Sequence, residues 1–450
     1  MKSSIIWLSK TAVCFTLLCS SVLADGDGAK GISNASGANP GNGGGGSGDY
    51  DSHNIDMLGH LWLNEMGSMG ASNVLGNDVW GWTDTSSGRE FALMGLTNGT
   101  SFVEVTDPTA PVYLGTLQTT AGTRNRAWRD MKVYNNQAYI VADNNGAHGM
   151  QVFDLTQLLT ASQSSTTSPH YFSSVGVYDG FREAHNIFVN EDSGYAYVVG
   201  SPNVASGGLH VLDLNGGHAN SMPTFVGNFS ADGYTHDTQV VNYIGPDGDY
   251  AGREIAFNSN EDTLTIADVT NKSDMTQISR IGYAGSEYSH QGWLSEDQQF
   301  FFMDDELDEY RSDADVPLQT RTRVWDVSDL DNPLYLGFHE GTEATIDHNL
   351  YVKGDLIFQA NYTSGLRVLR INDASTVDLE EFGFFDTYDL DNDVDFDGAW
   401  SVFPYFESGT IIVSDRQNGL FILAAVPEPG SLAFLSLSGL ALLIRRRRVA

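Results

Sequence analysis

The sequence predicts an all-β fold, a seven-bladed β-propeller closed by an N-terminal strand. Three observations lead there. Short sequence landmarks recur in fixed order between residues 50 and 426, at steps of 51–58 residues. Each repeat holds four strand-like runs separated by turn residues, with almost no helical periodicity. One copy of the fourth run stands ahead of the first full repeat, as if left over. A period near 50 with four strands marks propeller blades. The leftover run is what closes such a ring and hides its edges. An array of β-sandwiches, the alternative, needs no such strand.

The first landmark in each repeat begins with a polar or aromatic residue: DVWGW from 78, DMKVY from 130, HNIFV from 185, HDTQV from 236, HQGWL from 290, HNLYV from 348 and WSVFP from 400. The second is an apolar strand: REFALMG, QAYIVAD, YAYVVGS, REIAFNS, QFFFMDD, DLIFQAN and TIIVSDR. The third comprises TSFVEV, GMQVFDL, GLHVLDL, TLTIADV, TRVWDV, GLRVLRI and GLFILAA. The fourth strand is expected to end in an apolar–Gly pair, as in VYLG (112–115), SSVG (173–176), TFVG (224–227), SRIG (279–282), LYLG (334–337) and EEFG (380–383). Its seventh copy is DMLG (56–59), which is expected to complete the last blade.

TSFVEVTDPTAPVYLG and TRVWDVSDLDNPLYLG resemble LVIVD repeats. With DVWGWTDTSSGREFALMGLTNGTSFVEV, WRDMKVYNNQAYIVADNNGAHGMQVFDL and GAWSVFPYFESGTIIVSDRQNGLFIL, they make residues 50–426 similar to the choice-of-anchor B family. The resemblance implies a propeller-like region followed by one of several C-terminal anchors. It implies no established activity.

The two ends carry addresses. Residues 1–24 read as a signal peptide: Lys2 and Lys10, then the apolar TAVCFTLLC, then Val22-Leu23-Ala24 as a cleavage site. Residues 25–49, rich in Gly, Ser and Asn, read as a flexible linker. In residues 427–450, Pro427, Glu428 and Pro429 precede the apolar run LAFLSLSGLALLI and the block Arg445, Arg446, Arg447 and Arg448. That order resembles the PEP-CTERM sorting signal of Gram-negative bacteria. The resemblance implies an exosortase as processing partner, a transient or retained membrane anchor, and a cell-surface or matrix location. The ordinary alternative is a plain C-terminal membrane anchor.

Both cysteines, Cys14 and Cys19, lie in the signal, so the mature chain has no disulfides. The formal net charge is −35. Removing both end segments leaves 17 Lys and Arg against 57 Asp and Glu, near −40. Such a surface repels nucleic acid and anionic membranes.

The opening residues of the first landmark form a ring near one channel mouth: Asp78, Asp130, His185, His236, His290, His348 and Trp400. Four histidines on consecutive blades point to a transition metal, with iron, copper and zinc all open. The arrangement is similar in outline to the four-His iron site that carotenoid oxygenases build on a seven-bladed propeller, without their motifs. Asp237, Asn186 and Asn349 are placed to orient the rings. The competing expectation is structural: polar residues here hydrogen-bond the next blade. Asp78, Asp130 and Trp400 are also candidates for ligand contact at the mouth.

Asp393, Asp395 and Asp397 in DNDVDFDG have the spacing of a calcium loop's start, but Pro404 stands where the bidentate Glu belongs. The run MDDELDEYRSDAD (303–315) offers Asp304, Asp305, Glu306, Asp308 and Glu309 for calcium or for capping the mouth. Such runs are commonly solvated. Trp128, Trp293 and Trp400 can stack on sugars if exposed. No GxSxG, Walker or HExxH motif is present. The leading expectation is a non-enzymatic interaction module for an extracellular ligand or matrix polymer, with extracellular polysaccharide or a surface protein as partner; the second is a metalloenzyme using His185, His236, His290 and His348; the third is a purely structural surface protein.

Overall fold

The computed structural model describes residues 50–67, 74–123, 128–164, 169–216, 221–312 and 318–426. The expected signal, linker and sorting tail lie outside them. Seven antiparallel sheets form seven blades, numbered here by their inner strands: Gly76–Asp84, Trp128–Tyr134, Asn186–Asn190, Asp237–Asn242, Ser289–Leu294, Asn349–Lys353 and Ala399–Phe403. Helix among the described residues is confined to short 3₁₀ turns such as Leu155–Thr160.

Closure is as the leftover run predicts. Ile55–Leu61 pairs antiparallel with Gly419–Ala425 and becomes the outer strand of blade 7. Two short pieces cover further edges. Ser52–His53 extends blade 6 beyond Asp378–Phe385, and Tyr171–Phe172 adds in parallel to Val112–Gln118 of blade 1.

In five blades the apolar–Gly pair does not end the outer strand but forms a β-bulge inside it, while in blade 2 Gly176 opens the strand Gly176–Tyr178. In blade 1 Phe102 pairs with Gly115 and Val103 with Tyr113, so Leu114 is the extra residue. Leu58, Val226, Leu336 and Phe382 repeat this in blades 7, 3, 5 and 6. Blade 4 departs from expectation. Its bulge is Ile278 followed by Ser279, and Ile281-Gly282 lies beyond it.

The glycine serves packing between blades. A Cβ on Gly59 would strike the carbonyl of Pro108 in blade 1, and one on Gly227 the carbonyl of Lys272 in blade 4. Blade 4 makes the same contact differently: Ser279 Oγ donates to the equivalent carbonyl, that of Leu330, at 2.6 Å.

Inner strands lack a backbone partner toward the axis side, so their N–H groups need acceptors. Side chains of the preceding blade supply them. Asp130 Oδ2 accepts from Ile187 N at 2.8 Å, Gln239 Oε1 from Leu294 N at 2.8 Å, and Gln291 Oε1 from Leu350 N at 3.0 Å. Stacked aromatics join the blades further out, as in Phe102–Phe153 at 4.5 Å and Phe257–Phe301 at 5.6 Å.

Candidate metal centre

All seven ring positions line one cavity of about 20 Å³ at the channel mouth, room for about one water. Below it the channel is filled with aromatic rings. Trp293 packs on Phe188 at 5.8 Å and on Tyr351 at 4.9 Å, and Tyr351 meets Trp80 at 5.9 Å. Phe188 and Tyr351 stand two residues beyond Asn186 and Asn349, on the same strand faces, and three beyond His185 and His348.

The histidines form a row. Ring centroids are 4.2 Å apart for His185–His236, 4.3 Å for His236–His290 and 4.4 Å for His290–His348. Trp400 follows at 4.7 Å from His348. Each Nδ1 has a partner. That of His236 meets the His290 carbonyl at 3.1 Å, and that of His348 the Trp400 carbonyl at 2.6 Å. A carbonyl only accepts, so Nδ1 carries a proton on both rings. His185 Nδ1 lies 3.1 Å from Asp143 Oδ2, and His290 Nδ1 lies 3.3 Å from Asp304 Oδ1. These are the carboxylate–imidazole pairs that orient metal ligands. The contacts between blades use Nδ1 of His236 and His348, and a ligand role would use Nε2.

Glu306 completes the set. It is fully buried, and Tyr362 donates to its Oε1 at 2.6 Å. His290 Nε2 stands 4.0 Å from Glu306 Oε2 and His348 Nε2 stands 3.8 Å from Oε1. Those gaps exceed a hydrogen bond. They suit two ligands sharing one ion at about 2.1 Å each. His290, Glu306 and His348 each offer a donor atom within 4.8 Å of the other two.

The other side of the ring is ionic. Lys132 Nζ lies 2.6 Å from Asp130 Oδ1 and 3.6 Å from Asp78 Oδ2, over the Trp80 ring at 4.4 Å. Burial opposes the Lys132 charge, but Asp130 and Asp78 outweigh it and hold its pKa above the ordinary value. Burial pushes the Asp78 carboxyl well up, against the pull of Lys132. For Asp130 burial is outweighed by Lys132, and its pKa falls. Arg129 lines the cavity too. Its Nε donates to the Leu96 carbonyl and its Nη1 to His148 Nε2, while Nη2 has no hydrogen-bond partner among the described residues.

Asn186 donates to Asp237 at 2.8 Å and Asn349 to the Trp400 carbonyl at 3.1 Å, so both link neighbouring blades. Burial raises the Asp237 pKa to about 7. Asp393 and Asp395 are exposed; Asp397 is half-buried and accepts from Gln417. Trp128 lines the cavity, Trp400 is 5 % exposed, and Trp293 belongs to the aromatic layer. The acidic run is not solvated: Asp304, Asp305, Glu306, Asp308 and Glu309 are all buried.

Nothing in the sequence separates Glu306 from its four acidic neighbours. Lys132 was open to detection, since it lies two residues beyond Asp130 on the same strand face. Asp143 and Asp304 carry a weaker signal, as acidic residues closing second-landmark strands.

No family of known sequences matches the chain, and no curated protein does. Solved structures are similar in outline. A protein from Lactobacillus plantarum is 14% identical, with 76% of this chain and 88% of that one covered and a TM-score of 0.48. A 6-phosphogluconolactonase-like protein from Bacteroides fragilis is 12% identical, with 70% and 84% covered and a TM-score of 0.47. A computationally designed protein, Ika8, is 8% identical, with 77% and 82% covered and a TM-score of 0.45. Fold and strand pairing define this chain as a seven-bladed β-propeller.

Proposed function

We propose that the chain is a metal-dependent propeller enzyme, with a divalent transition metal on His290, Glu306 and His348 and with His236 and His185 continuing the row. One observation carries this: two imidazole Nε2 atoms converge on the two oxygens of a single buried carboxylate, at 4.0 and 3.8 Å. Sets of two histidines and one carboxylate suit iron(II) and zinc. His290 and His348 line the cavity, which has room for about one water, and a metal-bound water is the reactant such a site would supply. Burial of Trp400 and packing of Trp293 argue against sugar stacking here, and so against a polysaccharide module reading at this mouth.

The signal-like start and the PEP-CTERM-like tail support export and exosortase sorting. The LVIVD-like repeats support a place among choice-of-anchor B proteins.

The test is elemental analysis of the full chain purified without added metal, beside Glu306→Ala and His290→Ala/His348→Ala. Near-stoichiometric iron or zinc is expected in the parent and not in either variant. A parent that takes up no transition metal, even after reconstitution, ends this reading.

A further inference from the structure

A second cluster joins Asp308 and Glu309, on the segment that follows the second strand of blade 5, to Asp347, just ahead of the inner strand of blade 6. Asp308, Glu309 and Asp347 are 3, 1 and 1 % exposed. Each offers a carboxylate oxygen within 4.8 Å of the others. The two aspartates each use one oxygen within the protein. Asp308 Oδ2 accepts from Arg323 Nη2 at 2.6 Å, and Asp347 Oδ2 accepts from the Arg321 N–H at 3.3 Å. The remaining oxygens are Asp308 Oδ1, Asp347 Oδ1 and both of Glu309. Among the described residues none of these four has a hydrogen-bond partner, although all are buried.

A buried ionised carboxylate needs a compensating charge. The local cations are Arg323, which also lies 3.8 Å from Asp305, and Arg321, which lies 4.0 Å from Asp308. Asp305, Asp308, Glu309 and Asp347 thus outnumber Arg323 and Arg321, the latter also 3.4 Å from Glu340, and a divalent cation would offset the negative excess. The donors are all oxygens, which select hard cations. Ligands at calcium distances of about 2.3–2.6 Å lie up to about 5 Å apart across the ion.

We propose that Asp308, Glu309 and Asp347 bind one calcium ion, Glu309 through both oxygens. The site is independent of the transition-metal reading, since its donor atoms differ. It is close by in the chain: Asp308 follows Glu306 by two residues and Asp347 precedes His348.

The test is calorimetric titration of calcium chloride into the EGTA-stripped full chain in buffered salt, with thermal unfolding in calcium and in EGTA. One site is expected above the weak background of an acidic surface, with a higher unfolding midpoint in calcium. Glu309→Gln and Asp347→Asn should each weaken that site at least about tenfold, with unchanged circular dichroism. His290→Ala should keep it. A parent protein with no calcium site above background, and no calcium-dependent midpoint, overturns the proposal whether or not the variants fold. So does Glu309→Gln binding as the parent does, or loss of calcium in His290→Ala, which would merge the two sites.

Discussion

Replacing Lys132 with Met tests whether the non-histidine half of the ring is held by charge. The methionine keeps an unbranched stem against Trp80 and removes the ammonium that sits 2.6 Å from Asp130 and 3.6 Å from Asp78. All three side chains are 5–7 % exposed, so solvent screens the interaction little. Removing one partner of a buried pair costs about 3–5 kcal/mol, because the other charge stays buried. Over the roughly 375 residues of the propeller, an unfolding entropy near 2.1 cal/mol/K per residue turns this into a fall in Tm of about 4–6 °C. The assay is thermal unfolding by circular dichroism between pH 4 and 8. The sign follows from Asp130. In the parent its folded pKa is lowered, so its contribution is present above the unfolded carboxylate pKa and is lost as pH falls through the folded value. Without Lys132, burial raises that pKa, and stability is lost as pH rises. The gap between parent and variant should therefore be widest near neutrality and narrow toward pH 4. Adding Asp130→Asn should recover much of the loss. A single-variant cost below about 1 kcal/mol, the value for exposed pairs, or a gap that does not narrow with acid, would refute the reasoning.

Other outcomes are expected from the same structure. Gly227→Ala should destabilise by about 1–3 kcal/mol, through collision with the Lys272 carbonyl. Ser279→Ala should cost about 1–2 kcal/mol by leaving the Leu330 carbonyl without its donor. Thermal unfolding reads both, and no effect at either would remove the bulge as an inter-blade contact. His148 is held neutral by burial first and then by Arg129, with its pKa lowered to about 3. The unfolded ring takes up a proton below about 6.5, so stability should fall as pH drops from about 6.5 toward 3, and His148→Gln should flatten that slope in urea titrations. Deleting residues 50–61 strips the outer strand from blade 7 and leaves Gly419–Ala425 as an open edge. Aggregation on size-exclusion chromatography is expected, and a monomeric, fully folded product would argue that closure is dispensable.

The sequence by itself determined the number of blades, their order and the strand that closes them. Strand periodicity and turn residues are local, and a repeat shows them seven times over. It also determined the ring of Asp78, Asp130, His185, His236, His290, His348 and Trp400, because equivalent residues in equivalent strands occupy equivalent places around an axis. Only the tertiary structure decided what irregular segments do. The acidic run 303–315 reads as solvated, yet residues 304–309 within it are buried, and only beyond them are Tyr310 and Arg311 exposed. Burial there depends on Arg321, Arg323, Tyr362 and the histidines, which come from distant positions and meet only in the folded ring. Ser279 shows the same limit on a smaller scale. Glycine spacing marks Gly282, but pairing places the bulge at Ile278, because a hydroxyl that bonds the Leu330 carbonyl serves where glycine merely makes room.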